Sequence, residues 1–141
     1  MSTKTNKAIV RRHIEQGWNE FRLDVYDELF AENVVHHGLG SAAPGVEGMK
    51  NGRAMTQKGF PDIQLAIDDE IAEGDRVVLR ATMSGTHLGE LMGIPATGKR
   101  ITQSGAMIYR LDNAIIVEVW FYFDELSLMR QLGVIPMPEA A

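Results

Sequence analysis

The order of hydrophobic and polar residues changes character near the middle of the chain. In the first half the apolar positions recur at helical spacing. Ile9, Val10, Ile14, Trp18 and Phe21 form a stripe on a helix that Thr5 can cap and that runs to about Glu20. Asp24 then starts a short helix carrying Val25, Leu29 and Phe30. Asn33 to His37 reads as a short strand, and Gly38 to Gly45 as a glycine-rich loop. A third helix spans about Val46 to Phe60, where Pro61 stops it.

In the second half the period drops to two. Ile63, Leu65 and Ile67 alternate with polar residues, as in a half-buried strand. Glu73-Gly74-Asp75 makes a turn into a long strand, Arg76 to His87, rich in Val, Leu and Thr. Leu88 to Lys99 holds three glycines and a proline and reads as a loop. Ile101 to Leu111 and Ala114 to Phe123 are strands joined at Asp112-Asn113. Asp124 opens a last helix to about Leu132, which Gly133 can end, and residues 136–141 are a tail. Helices first and strands afterwards predict one α+β domain over residues 1–141, a curved antiparallel sheet wrapped around helices with one end open for a small molecule.

Alternation along the last strand sorts its side chains into two faces. Val117, Val119, Phe121 and Phe123 are purely apolar and suit a core or a subunit interface. Glu118, Trp120, Tyr122 and Asp124 mix aromatic bodies with polar groups and suit a pocket wall. With Asp112-Asn113 as a two-residue turn, Met107 pairs with Glu118, Gly105 with Trp120 and Gln103 with Tyr122. Cross-strand partners share a face, so Gln103, Gly105 and Met107 are expected on the same wall. A slip of one residue would reverse the assignment.

Composition narrows the chemistry. Of 141 residues, 45% are hydrophobic and 23% charged, the proportions of a soluble globular chain. A net charge of -5 without a basic stripe argues against a nucleic-acid partner. The absence of cysteine removes disulfides, thiolate metal sites and cysteine nucleophiles. No apolar run reaches membrane-spanning length and the start is polar, so no membrane partner is expected and a cytoplasmic location is the default.

Each candidate residue has a structural and a functional reading. Asp124 is the N-cap of the last helix, or an acid/base in an aromatic setting, or both. A helix N-terminus favours a charged carboxylate, whereas a poorly hydrated surround favours a neutral one. His36 and His37 face opposite ways on a strand, and no HxH or HExxH spacing occurs, so no metal is expected. His37 is then a rim residue or a contact to substrate oxygen. Arg80 pairs with Asp68, Asp69 or Glu70 on the neighbouring strand, or clamps a substrate oxygen. His87 starts a loop and either reaches the pocket mouth or faces solvent. Met49, Met55, Met83, Met92 and Met107 are core residues or an adaptable lining. There is no nucleophile elbow, phosphate loop or dinucleotide fingerprint.

Several blocks resemble one family. Phe60 to Ile63 (FPDI), Glu73 to Arg80 (EGDRVVLR), Ser84 to Ile94 (SGTHLGELMGI), Ala96 to Lys99 (ATGK), Ile116 to Trp120 (IVEVW) and Gln131 to Gly133 (QLG) are similar in order and spacing to the SnoaL-like polyketide cyclases, or ester cyclases, over about residues 8–134. The resemblance implies the cone-shaped α+β roll of the nuclear-transport-factor-2-like (cystatin-like) superfamily. It also implies a homodimer or homotetramer formed through the sheet, an internal cavity, a small-molecule substrate and no cofactor. In those cyclases an aspartate near the end of the last long strand is the acid/base of an intramolecular aldol condensation, and Asp124 stands at that position. His37, Arg80, His87, Gln103, Met107, Trp120 and Tyr122 are then the expected substrate contacts. Such cyclases can carry a histidine on the preceding strand, where this chain has Gln103, Gly105 and Met107. Relatives include cofactor-free hydroxylases. A cofactor-free epoxide hydrolase would instead need two carboxylates bridged by an arginine, for which Arg110, Asp112, Glu118 and Asp124 are the available groups. A non-catalytic binding module is the third possibility.

Overall fold

A computed structural model describes residues 2–39 and 43–136. Part of the glycine-rich loop (40–42) and the end of the tail (137–141) lie outside the described residues. The chain runs α1 (Thr3–Arg12), a π-helical segment (His13–Asn19), α2 (Asp24–Leu29), β1 (Phe30–His37), α3 (Gly45–Gly59), β2 (Gln64–Glu73), β3 (Arg76–Thr86), β4 (Arg100–Asp112), β5 (Ile115–Phe123) and α4 (Glu125–Leu132). The strands form one mixed sheet in the order β1-β5-β4-β3-β2, with β1 parallel to β5 and the rest antiparallel. The expected elements are present, with ends moved by a few residues. The cap of α1 is Ser2, whose Oγ accepts the Thr5 N–H at 3.1 Å, rather than Thr5.

The first helix widens to π geometry over His13–Asn19, and the widened turn carries Gly17 against Tyr26. A Cβ at Gly17 would come within 3.0 Å of the Tyr26 ring. The apolar stripe of this helix, with Val25, Tyr26 and Phe30, packs on the inward positions Leu79, Tyr109, Ile116 and Val119 of the sheet. Burial of each large apolar side chain there contributes roughly 1.5–3 kcal/mol. His13 is enclosed in this core at 1% exposure, edge-on to the Tyr26 and Phe30 rings. Its Nδ1 lies 2.8 Å from the Tyr109 hydroxyl, which in turn lies 3.5 Å from Met107 Sδ. Burial drives the His13 pKa from 6.5 down to about 3.

A second apolar group, Phe60, Ile63, Ile101, Leu128 and Leu132, closes the other end beneath α4. That helix takes over from β5 alongside β4. Gln131 donates to the Thr102 carbonyl at 2.7 Å and accepts the Thr102 N–H at 2.9 Å, as a neighbouring strand would. Gly133, at φ 80°, ends the helix in the left-handed conformation expected of it.

The β4–β5 hairpin corrects the expected register. Its turn residues are Asn113 and Ala114, both with positive φ (50° and 66°), and Asp112 pairs with Ile115. A bulge between Arg110 and Leu111 then shifts the ladder again. Gly105 pairs with Phe123, Met107 with Phe121 and Arg110 with Glu118. The two displacements move the partners by an odd number of residues, so the two faces of β5 exchange roles. Phe121 and Phe123 turn inward, and Glu118, Trp120 and Tyr122 turn outward.

Candidate functional site

Between the two apolar groups lies a cavity of about 320 Å³. Trp18 of the π-helical segment, Met55 and Thr56 of α3, Met83 of β3, Ile101, Gln103 and Met107 of β4, and Phe121 and Phe123 of β5 form its walls. Leu91 and Met92, from the loop after β3, and Glu125, the first residue of α4, stand among its lining. Its size and mostly apolar wall are those of a small-molecule site. A wider hollow of about 950 Å³ runs along β1 and the start of α3. It is less enclosed, so the interior cavity is the candidate site.

The wall follows from the sequence once the faces are exchanged. Inward positions of β4 alternate as Ile101, Gln103, Gly105, Met107 and Tyr109. The bare Gly105 lets the Phe123 ring lie directly over the backbone, since a Cβ there would sit 2.3 Å from Phe123 Cδ1. Met55, Met83, Met92 and Met107 supply a flexible lining, whereas Met49 belongs to the core. Leu91 is seated by Gly59, and its loop is held at its base by His87. The His87 backbone pairs with Lys99 and Gly98, and its Nδ1 accepts the Thr97 N–H at 3.2 Å.

The expected site residues separate into three groups. Gln103 and Met107 line the cavity. Trp120 and Tyr122 do not: they lie on the outer face, where the Arg76 guanidinium sits 5.2 Å from the Trp120 ring and Tyr122 is 59% exposed. His37 is on the same outer face, stacked on Trp120 and 2.8 Å from Glu118. Together with Arg110, it holds the Glu118 carboxyl below its ordinary range. Arg80 also faces outward, donating to Asp69 at 2.6 Å, so its salt-bridge reading is the observed one. His87 is fully buried rather than at the mouth or in solvent, and its Nε2 has no partner among the described residues.

Asp124 is exposed and caps α4, its Oδ1 accepting the Ser127 N–H at 3.0 Å. Its two chain neighbours, Phe123 and Glu125, line the cavity, but Asp124 itself is not among the lining residues. The sequence reading passed over Glu125, an exposed residue of the first turn of α4 that stands among the cavity lining. No arginine or lysine lines the cavity among the described residues. The Arg110–Glu118 pair that an epoxide hydrolase would need is on the outer face, at 3.1 Å. The described residues contain no cluster of three or more His, Asp and Glu side chains suited to a metal ion.

Comparison with known proteins agrees with this architecture. The chain is similar to TsrD from Streptomyces laurentii, at 27% identity and a TM-score of 0.87 over 96% of this chain and 99% of that one. AclR from Streptomyces galilaeus, provisionally assigned as a hydroxylase, is 29% identical with a TM-score of 0.85 over 98% and 87%. IdmH from Streptomyces antibioticus, provisionally assigned as a polyketide cyclase, is 31% identical with a TM-score of 0.80 over 91% and 98%. Among curated proteins none matches. The sequence profile of the SnoaL-like polyketide cyclases matches residues 8–132, and with the shared fold this places the chain in the SnoaL-like polyketide cyclase family.

Proposed function

We propose that the chain is an enzyme of acid/base chemistry without a cofactor, closing a ring in a polyketide-like or other carbonyl-rich apolar molecule. The observation that carries it is the apolar cavity lined by both chain neighbours of Asp124, Phe123 and Glu125, in a chain of the cyclase family. The Asp124 carboxylate takes a proton from carbon next to a carbonyl. The resulting enolate carbon attacks a second carbonyl of the same molecule, a carbon–carbon bond forms, and the new alkoxide takes the proton back. Atoms are conserved, and the apolar wall keeps water from the enolate.

Asp124→Asn separates chemistry from capping, because asparagine caps a helix as well as aspartate does. Turnover of a diketone or polyketide analogue should fall by about 100-fold or more, with the melting temperature nearly unchanged. Asp124→Ala should lose the cap as well, at about 1 kcal/mol. Unchanged turnover in Asp124→Asn would remove the acid/base role and leave a binding module. The likeness to AclR supports a second reading, a hydroxylation by molecular oxygen in the same cavity in which a hydroquinone-type substrate is itself oxidised to the quinone and so supplies the two electrons that turn the second oxygen atom into water. Oxygen uptake during turnover distinguishes it from cyclisation.

The expected assembly through the sheet is also a proposal. It is supported by apolar side chains left open on the outer side, Val35 at 49%, Ile71 at 63% and Tyr122 at 59% exposure.

A further inference from the structure

Gln103 is 6% exposed, on an inward position of β4, with its side chain on the cavity wall. Its amide has no hydrogen-bond partner among the described residues. Other glutamines of the chain spend theirs on the protein. Gln131 pairs both backbone groups of Thr102. Gln57 accepts from Arg53 and donates to the Pro61 carbonyl. Thr56, also on the wall, has its hydroxyl committed to the Gly52 carbonyl at 3.0 Å. An amide on a mostly apolar wall with no protein partner is open to bond a molecule entering the cavity.

The charges around the cavity point the same way. Glu125, at its exposed mouth, is the one charged side chain of its lining among the described residues. Arg53 lies behind Trp18, 4.7 Å from that ring, and donates to the Trp18 carbonyl and Gln57. Arg80 and Arg100 pair with Asp69 and Asp62 instead. An anion in the cavity would therefore touch no cation on the wall, Arg53 being screened from it by Trp18, and one carboxylate would oppose its entry. A buried ammonium deep among Met83, Met107 and Phe121 would be equally unpaired.

We infer that the cavity selects uncharged, carbonyl-bearing molecules, and that Gln103 is its specificity-determining contact, donating its amide N–H to a ligand oxygen. The inference rests on the cavity being the site proposed above, but not on the reaction performed there. In that reaction the same N–H group would meet the oxygen on which enolate charge develops.

Three probes of one ring skeleton test it: fluorenone, its hydrocarbon fluorene, and a fluorenone carboxylate. Binding is read by quenching of Trp18 in Trp120→Phe protein, whose lost tryptophan is on the outer face. The methionine methyl signals of Met83 and Met107 report occupancy of the cavity. Fluorenone should bind more tightly than fluorene, and the carboxylate about tenfold or more weakly than fluorenone. Gln103→Leu should weaken fluorenone about two- to tenfold, the range of one neutral hydrogen bond, and leave fluorene unchanged. Binding of fluorene to that variant also shows that it is folded. A carboxylate that binds as well as the ketone, a ketone preference that survives Gln103→Leu, or no probe shifting the two methionine methyls would each overturn the inference. If Gln103→Leu does not fold, the ketone-to-carboxylate ratio of the unsubstituted Gln103 protein decides alone. Failure of the acid/base reading would show as unchanged turnover in Asp124→Asn, with these binding ratios intact.

Discussion

The buried His13 should make this fold lose stability in mild acid. Its ring is 1% exposed, edge-on to Tyr26 and Phe30, and its pKa is driven from 6.5 down to about 3 by burial. The groups facing it are the hydroxyl of Tyr109 at Nδ1 and aromatic rings, and among the described residues no carboxylate lies within salt-bridge distance to hold a proton on it. The folded form therefore excludes a proton that the unfolded chain accepts below 6.5. The neutral-histidine contribution is fully present above that pH and falls as pH drops toward about 3. At about 1.36 kcal/mol per pH unit, the whole interval is worth about 5 kcal/mol, of which about 2 kcal/mol is lost by pH 5. That is a large part of a typical stability of roughly 5–15 kcal/mol. The assay is urea unfolding followed by circular dichroism from pH 8 to pH 5, for the natural sequence and for His13→Gln. Glutamine can still accept from Tyr109 but does not titrate in this range. The variant should begin less stable, because the ring leaves space in a packed core, and should then lose about 2 kcal/mol less on acidification. Parallel pH dependences in the two proteins would refute the assignment to His13 and move the effect to other groups.

Three further outcomes follow from the geometry. Gly105→Ala should cost roughly 1–3 kcal/mol in thermal or urea unfolding, because the new Cβ meets the Phe123 ring at 2.3 Å and the ring must leave the wall. Asp62 accepts the Thr86 N–H at 2.7 Å and its hydroxyl at 2.8 Å, which hold its carboxyl below the ordinary 3.8. Its small contribution to stability is thus present above pH 3.8 and lost as pH falls through the lowered titration, and Thr86→Val should raise the midpoint seen by carbon-detected NMR. Light scattering should give a dimer or tetramer, and Tyr122→Lys with Val35→Lys should shift it toward monomer without lowering occupancy of the cavity; a monomer in the natural sequence would dismiss the sheet as an interface.

How far the sequence carried depends on the range of the signal. The helical stripe of Ile14 and Trp18, the stop at Pro61, the Glu73-Gly74-Asp75 turn and the Gly133 cap are local, and each was legible from its own neighbours. The face of β5 was not, because it depends on the hairpin as a whole. Asn113 suits positive φ, but Ala114 adopts it too, at 66°, where a side chain ordinarily resists it. Nothing in the sequence marks the bulge at Leu111 either. The moved turn shifts the pairing by two and keeps each residue on its face, whereas the one-residue bulge reverses the parity of every residue beyond it. The error was also one of physical expectation. A mixed aromatic and polar face looks like a pocket, and an apolar one looks like core. Here Trp120 stacks on His37 and Glu118 bridges His37 and Arg110 on the outside, while the plain Phe121 and Phe123 form the wall.

That exchange changes what the cavity can do. With Arg80, His37, His87, Trp120 and Tyr122 off the wall, no cation among the described residues is left there to steady an oxyanion. The polar resources that remain are the amide of Gln103 and the indole N–H of Trp18 on the wall, neither with a partner among the described residues, and the carboxylate of Glu125 at the mouth with Asp124 next to it in the chain. A carboxylate with one free oxygen beside an apolar chamber is suited to removing a proton from a carbon acid whose conjugate base is already delocalised. It is poorly suited to removing a proton from a weaker carbon acid whose enolate charge rests on a single oxygen. Substrates whose acidic carbon lies between two carbonyls should therefore turn over, and simple mono-ketones of the same size should bind without reacting. Comparing deuterium exchange at the acidic carbon of a diketone and of its mono-ketone, with protein and with Asp124→Asn, would test that division directly. Exchange in both compounds would mean that stronger stabilisation of charge exists than Gln103 alone provides.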